Sequence, residues 1–260
     1  MTVPAGTTHS WIIGASHGIG QALAYELAQR KETLTLSARS QKALTDVATT
    51  LPKASPQAPH DVLPLDVANP QDLQNAITKL RQPIHRIIFM AGIYTPMPLA
   101  KLDIKECHAI IDVNLCGALH LLHAVLPMLL QQRTTHPTIK SQIALCASVA
   151  GYIGLPHAQP YAASKAALIN LAESLLFEHG RHIDVKVINT GFVETRLTDK
   201  NTFTMPMKLS PQQAARTIAR GLNTRAFEIT TPKLFTTALK LLALLPKRWS
   251  RTLMTRRTQP

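Results

Sequence analysis

Short apolar runs rich in β-branched residues alternate along the chain with longer segments whose apolar residues recur every three to four positions. The runs at 10–13, 33–38, 62–65, 85–90, 142–147 and 184–189 predict strands, and the segments at 19–30, 41–51, 70–80, 104–130 and 160–179 predict helices. Within the runs apolar residues are nearly continuous, so both faces of each strand are expected to be buried. Strands of this kind, each followed by a helix, form a parallel sheet with helices on both sides. Right-handed crossovers then wind it outward in both directions. After Asn189 the alternation weakens. Residues 190–210 read as a long loop, Pro211–Gly221 as a helix and 226–229 as a last edge strand, with surface loops at 53–59 and 134–137. The expected fold class is α/β, a doubly wound parallel sheet in a single domain over 1–230, followed by a helical tail over 231–260.

A chain of 260 residues that is 45% hydrophobic is long and apolar enough for one large domain. The formal charge of +13 raises the question of an acidic partner. Much of the excess lies at the end: after Glu228 there is no acidic residue, while Lys233, Lys240, Lys247, Arg248, Arg251, Arg256 and Arg257 follow. Of the three cysteines, Cys107 and Cys116 fall in one predicted helix, roughly 13 Å apart and out of disulfide reach. Sparse cysteines and an N-terminus without a secretory pattern point to the cytoplasm. No apolar run is expected to reach the length of a membrane span.

Chemistry enters at the end of the first strand. Gly14, Gly18 and Gly20 sit between that strand and the first helix, where a tight turn lets a pyrophosphate approach the backbone and the helix N-terminus. This context predicts a dinucleotide site. At the end of the second strand an acid would bind the ribose hydroxyls of NAD. Ala38 and Arg39 stand there instead, and a guanidinium fork favours the 2′-phosphate of NADP. Asp66 follows the third strand, either as acceptor for an adenine amino group or as a local cap. Tyr161 and Lys165 lie four apart on a predicted helix, one turn above each other. The ammonium is expected to lower the phenol pKa and make a usable proton donor.

Together these residues resemble the short-chain dehydrogenases/reductases over roughly 8–225. The match rests on Gly14, Gly18 and Gly20, Asp66-Val67, Ala91-Gly92, Asn114, Ser148, Tyr161 with Lys165, and the segment from Gly191 to Thr195. The resemblance implies a Rossmann-type fold, an NADP(H) cofactor and hydride transfer between nicotinamide and a ketone, aldehyde or secondary alcohol. It implies that Tyr161 donates the proton, Lys165 binds the nicotinamide ribose, Ser148 holds the substrate oxygen and Asn114 holds a relay water. It places Gly14, Ser16, His17, Gly18, Ile19, Gly20, Arg39, Asp66, Val67, Ala91, Gly92, Tyr161, Lys165, Gly191, Val193 and Thr195 around the cofactor. Three positions depart from the family pattern: Ile13 for threonine, Met90 for asparagine, and Thr190 for proline, the last expected to loosen the loop beside the nicotinamide.

Ile93, Tyr94, Val149, Tyr152, Ile153 and the 195–207 loop with Phe203, Met205 and Met207 are the expected walls of a pocket for a small apolar or amphipathic carbonyl or alcohol. His120 and His123 lie three apart on the long helix, with no carboxylate or cysteine to complete a metal site, so no metal is expected. Broad apolar faces on that helix and on 162–177 suggest a homodimer or homotetramer. The tail, an apolar stretch at 234–245 followed by basic residues and Trp249, suits peripheral contact with an anionic membrane. It lacks the aromatic platform that nucleic-acid binding would want. The rival reading is a catalytically weak NADPH-binding sensor or scaffold, at a membrane surface.

Overall fold

The computed structural model describes residues 7–53, 59–81, 83–200, 205–246 and 248. Seven strands form one sheet: β1 (His9–Ile13), β2 (Thr33–Ser37), β3 (Asp61–Val62), β4 (Arg86–Phe89), β5 (Gln142–Cys146), β6 (Asp184–Thr190) and β7 (Glu228–Thr231). Their order is β3-β2-β1-β4-β5-β6-β7, and every pairing is parallel. Chain direction along the sheet reverses between β1 and β4, the place where doubly wound sheets open a ligand crevice.

The sheet separates two cores by strand periodicity. Trp11, Ile13, Ile87, Phe89, Ile143 and Leu145 face one side, with α3 (Pro70–Ile77), α5 (Gly117–Thr135) and α6 (Tyr161–His179) over them. Ile12, Ile88, Ala144 and Ile188 face the other, under α1 (Gly18–Gln29), α2 (Gln41–Thr50) and α7 (Pro211–Gly221). Trp11 spends its indole N–H on Ser37 Oγ at 2.8 Å. Lys186 is fully buried on β6, and its ammonium donates to the Thr224 and Ala226 carbonyls at 2.7 and 2.8 Å, tying β6 to the turn before β7.

Several boundaries differ from expectation. The third strand is assigned only over Asp61–Val62, although Leu63 N–H and Leu65 N–H still donate to the Leu36 and Ala38 carbonyls at 2.9 and 3.1 Å, before Asp66 Oδ1 accepts the Ala68 N–H at 3.0 Å in an Asx turn. The long helix runs further, through Thr135, despite Pro127. It is also not one α-helix. α4 (Ile104–Ile111) passes through a π-turn at Asp112–Cys116 into α5. By length and composition this 32-residue helix could cross a membrane, with a mean hydropathy of 1.7 over its most apolar window, contrary to expectation. Here it is a core helix, with Leu121, Val125 and Leu129 packed in the first core.

Residues 190–200 and 205–210 are better held than a loop prediction implies. Thr190 is the last residue of β6 and pairs with Thr231, so the residue expected to loosen this segment extends a strand. Glu194 N–H and Leu209 N–H cross to the Leu209 and Phe192 carbonyls at 2.8 and 3.0 Å, closing the segment at its base. Phe203 lies outside the described residues, as does the sequence after Arg248. β7 is the expected edge strand, so a boundary at 230 falls inside it. The helical part of the tail is α8 (Lys233–Leu244), whose Phe235 packs on Phe192 with ring centroids 5.5 Å apart.

Candidate active site

Gly14 ends β1 and receives the turn. Its φ is +96°, and a Cβ there would lie 2.6 Å from Ala91 N, so only glycine fits both the backbone and the neighbouring strand end. α1 then starts after His17 with no side-chain cap. The N–H groups of its first turn therefore face the crevice unclaimed by a capping side chain. The cleft there has a volume of about 790 Å³, within the range of ligand pockets.

Its walls gather most residues singled out in the sequence. Gly14, Ser16, His17, Gly18, Ile19 and Gly20 form one end, with Ala38 and Arg39 beside them. Asp66, Val67, Ala91 and Gly92 form the side, Thr195 lies against Gly18, and Tyr161 and Lys165 complete the lining. The departures Ile13, Met90 and Thr190 also line it. Ser148, Asn114, Gly191 and Val193 do not. Gly191 is pressed against Pro232 and Phe235, and Val193 is buried in the bridge to Leu209.

Tyr161 opens α6 directly after Pro160, and Lys165 follows one turn later. Lys165 is buried and donates to the Cys146 carbonyl at 2.7 Å, with its ammonium 5.5 Å from the Tyr161 ring centroid. The helical spacing therefore does bring the pair together. The expected acidification of the phenol is not met. Burial is the largest influence on Tyr161 and pushes its pKa up. Cys146 and Tyr94 add to this, and only the Ser148 hydroxyl opposes it. Burial likewise pulls Lys165 down. Withdrawal from water outweighs the field of an ammonium that spends its hydrogen bond on a carbonyl.

Ser148 begins a short 3₁₀ turn at Val149–Gly151 after β5. Its Oγ accepts the Ala150 N–H at 3.1 Å and donates to the Thr190 carbonyl at 3.3 Å. Gly151 lets this turn lie on α6, since a Cβ there would sit 2.8 Å from the Lys165 carbonyl carbon. Asn114 is fully buried in the π-turn. Its Oδ1 accepts the Ile93 N–H at 2.8 Å, and its Nδ2 donates to the Ile93 carbonyl at 3.0 Å and Ser164 Oγ at 3.1 Å. The amide thus ties the strand-end segment after Gly92 to the residue before Lys165. A Cβ on Gly92 would lie 3.4 Å from both Asn114 Oδ1 and Lys165 Nζ.

On the open side, Tyr94 stacks at a tilt on Tyr161, with centroids 4.9 Å apart. Lys200 Nζ donates to the Tyr94 carbonyl at 2.8 Å, joining the 195–200 segment to this wall. Tyr152 is turned elsewhere. Its hydroxyl donates to Glu228 Oε1 on β7, which also receives Asn189 Nδ2 at 2.8 Å, so its polar end serves the sheet edge. His120 Nδ1 donates to the Val67 carbonyl, 3.0 Å away, while His123 is exposed.

Sequence reasoning missed Arg196, which lines the cleft beside His17. Burial lowers the His17 pKa, and the Arg196 charge lowers it further. The available signal was a cation directly after Thr195. Ser164 and the Cys146 carbonyl, the partners that fix Asn114 and Lys165, were also missed. A main-chain carbonyl carries no residue-type signal.

The sequence model of the family described as short chain dehydrogenase matches residues 8–205. An uncharacterised oxidoreductase of Staphylococcus epidermidis is 31% identical over 215 residues, spanning 81% of this chain and 89% of its own length. 11-beta-hydroxysteroid dehydrogenase A of Arachis hypogaea is 32% identical over 196 residues, spanning 72% of this chain and 52% of its own. The fold is similar to that of a short chain dehydrogenase from Burkholderia cenocepacia in complex with NADP, with a TM-score of 0.80 at 21% identity over 98% of each chain. It is also similar to an actinorhodin polyketide ketoreductase with NADPH, with a TM-score of 0.75 at 21% identity over 89% of this chain and 97% of that one.

Proposed function

The chain belongs to the short-chain dehydrogenase family of oxidoreductases, and from that premise we propose that it is an NADP(H)-dependent reductase of ketones or aldehydes, reversible toward secondary alcohols. The observation that carries this reading is the meeting of Tyr161 and Lys165 in the cleft that the Gly14 turn also lines.

The residues present fit a phosphorylated dinucleotide. The glycine turn admits close approach, and the uncapped start of α1 offers N–H groups and a positive dipole to phosphates. His17 and Arg196 stand beside it, Arg39 is exposed at the rim for a 2′-phosphate, and Asp66 keeps one carboxylate oxygen for an adenine amino group. When bound, the nicotinamide supplies or accepts the hydride. Tyr161 donates its proton to the carbonyl oxygen, and burial keeps the phenol in the protonated form that reduction needs. Ser148 donates to the same oxygen as negative charge builds there, giving up its bond to the Thr190 carbonyl. Lys165 holds the nicotinamide ribose, and Asn114 positions Ile93 and Ser164 around it.

The substrate is apolar or amphipathic, and it lies over Tyr161 between Tyr94, Ile93 and the 195–200 segment. The protein is a homo-oligomer through α5 and α6, where Leu119 and Phe177 stand 45% and 83% exposed. Light scattering of wild type and Phe177→Lys tests the oligomer.

The function is tested by paired titration with NADPH and NADH, then by NADPH oxidation against a panel of carbonyl compounds. Tight NADPH binding with turnover supports the reductase. Tight binding without turnover of any panel member favours a sensor or scaffold. No binding of either nucleotide refutes both.

A further inference from the structure

Ser148 is held from two sides, and both holds return to one carboxylate. Its hydroxyl accepts the Ala150 N–H at 3.1 Å inside the turn at Val149–Gly151, and that turn ends on Tyr152. Its own proton goes to the carbonyl of Thr190, the strand residue after Asn189, at 3.3 Å. The Tyr152 hydroxyl and Asn189 Nδ2 both donate to Glu228 Oε1, the second at 2.8 Å. Bonds and chain together close a ring through Ser148, Ala150, Tyr152, Glu228, Asn189 and Thr190. Strand periodicity builds it. Ile188 and Ile229 turn into one core, so Asn189 and Glu228 share the opposite face of the sheet, the one α6 covers.

The carboxylate is itself fixed from α8. Lys240 donates to Glu228 Oε2 and lies 6.0 Å from the centre of the Tyr152 ring. Burial would raise the Glu228 pKa, but bonds from Lys240, Tyr152 and Asn189 outweigh it and hold the group below its ordinary 4.5. Glu228 is thus an anion with donors on both oxygens. Phe235 of α8 backs Gly191, where a Cβ would lie 2.9 Å from its ring, so the same helix supports the Thr190 side. Asn189 is fully buried, and its amide is aimed by this carboxylate. An ion pair that merely closed the sheet edge would need neither the tyrosine nor the buried amide.

We propose that Glu228 is a positioning residue for the Ser148 hydroxyl, acting through Tyr152 on the turn and through Asn189 on Thr190, with Lys240 of α8 holding it in place. Neither Glu228 nor Tyr152 is among the residues that line the cleft, so the effect is on aim and not on contact. The Ala150 bond leaves the serine proton free to turn from Thr190 to a substrate oxygen. The turn therefore holds Ser148 throughout the reaction, while Thr190 sets its starting direction. A donor displaced by about 1 Å loses much of its effect on developing charge. The kinetic consequence rests on the reductase reading, whereas the hold itself does not.

Tyr152→Phe and Glu228→Gln would be compared with wild type by hydrogen exchange over residues 148–152 and by steady-state kinetics with NADPH and the best carbonyl of the panel. Faster exchange at the Ala150 and Gly151 amides is expected. A kcat loss on the order of 10- to 100-fold should accompany it, with NADPH affinity near wild type. In a Ser148→Ala background both substitutions should cost less than about 2-fold, because the group they aim is gone. A merely structural role would cost the same in both backgrounds. That result, or unchanged exchange, would overturn the proposal. Should Glu228→Gln fail to fold, Tyr152→Phe, which keeps the ring, decides alone. Faster exchange in variants of a protein that turns over no carbonyl would uphold the hold on Ser148 and refute the reductase reading instead.

Discussion

Acid should unfold this protein through His9, far from the cleft. His9 lies in β1 with no exposed surface. Its Nδ1 is 3.0 Å from the Arg81 carbonyl, which can only accept, so Nδ1 carries the proton and Nε2 accepts from the Thr35 hydroxyl at 2.9 Å. Burial is the largest cause that lowers its pKa from the ordinary 6.5 to about 4, with the charges of His85 and Arg81 adding to it. The folded chain therefore refuses a proton that the unfolded chain takes. The stability this contributes is complete above pH 6.5 and is lost as pH falls toward about 4. Over the full window it amounts to about 3 kcal/mol, of which about 2 is lost between neutrality and pH ~5. His85, shifted down mainly by burial, acts in the same sense. Glu32 acts in the opposite one, since burial raises its carboxyl pKa from the ordinary 4.5. Urea titrations across this range, followed by fluorescence, would measure the slope. His9→Gln keeps a donor and an acceptor but cannot titrate, and it should flatten the curve by about 2 kcal/mol. An unchanged pH slope in that variant would refute the reasoning.

Other outcomes follow from the cleft. Tyr161→Phe should lower kcat by about 10²–10⁴-fold with NADPH affinity near wild type, measured by stopped turnover and titration. Full activity would remove the tyrosine from the proton-transfer role. Arg39→Ala should weaken NADPH by about 10–100-fold and NADH far less, and equal losses would rule out the 2′-phosphate contact. Arg196→Ala should weaken both nucleotides alike and raise the His17 pKa, which NMR titration would detect; a fixed His17 pKa would separate the two side chains. Gly14→Ala should cost more than about 1 kcal/mol of stability and nucleotide binding together, because strained φ and the Ala91 contact act at one atom.

The sheet was legible because its strands are buried on both faces, which writes continuous apolar runs such as Ile87, Ile88 and Phe89 into the chain. The glycine turn and the Tyr161–Lys165 pair were legible because their chemistry depends on residue type and spacing. Three features were not. The π-turn leaves no mark in an apolar pattern, since the same residues suit an unbroken α-helix. The raised phenol pKa depends on how deeply Tyr161 is enclosed by Tyr94 and Cys146, which are distant in sequence. The hold on the segment about Phe192, Glu194 and Leu209 comes from main-chain bonds between these residues, and such bonds are indifferent to side-chain identity.

The π-turn also has a consequence for how this chain can change over generations. An α-helix advances about 100° per residue, and a π-turn absorbs one residue beyond a regular turn. A one-residue deletion within Asp112–Cys116 would leave a straighter helix with an unbroken ladder, and so a better helix. Because the π-turn has already absorbed that residue, the segments on either side would keep their facing, with Ile110 and Leu121 still turned inward. What would go is the wide turn itself, where Asn114 reaches Ile93 and Ser164. The packing of the helix tolerates the shorter form, and only the seat of the amide calls for the extra residue. The length of this segment is therefore expected to follow Asn114, the two being kept or lost together.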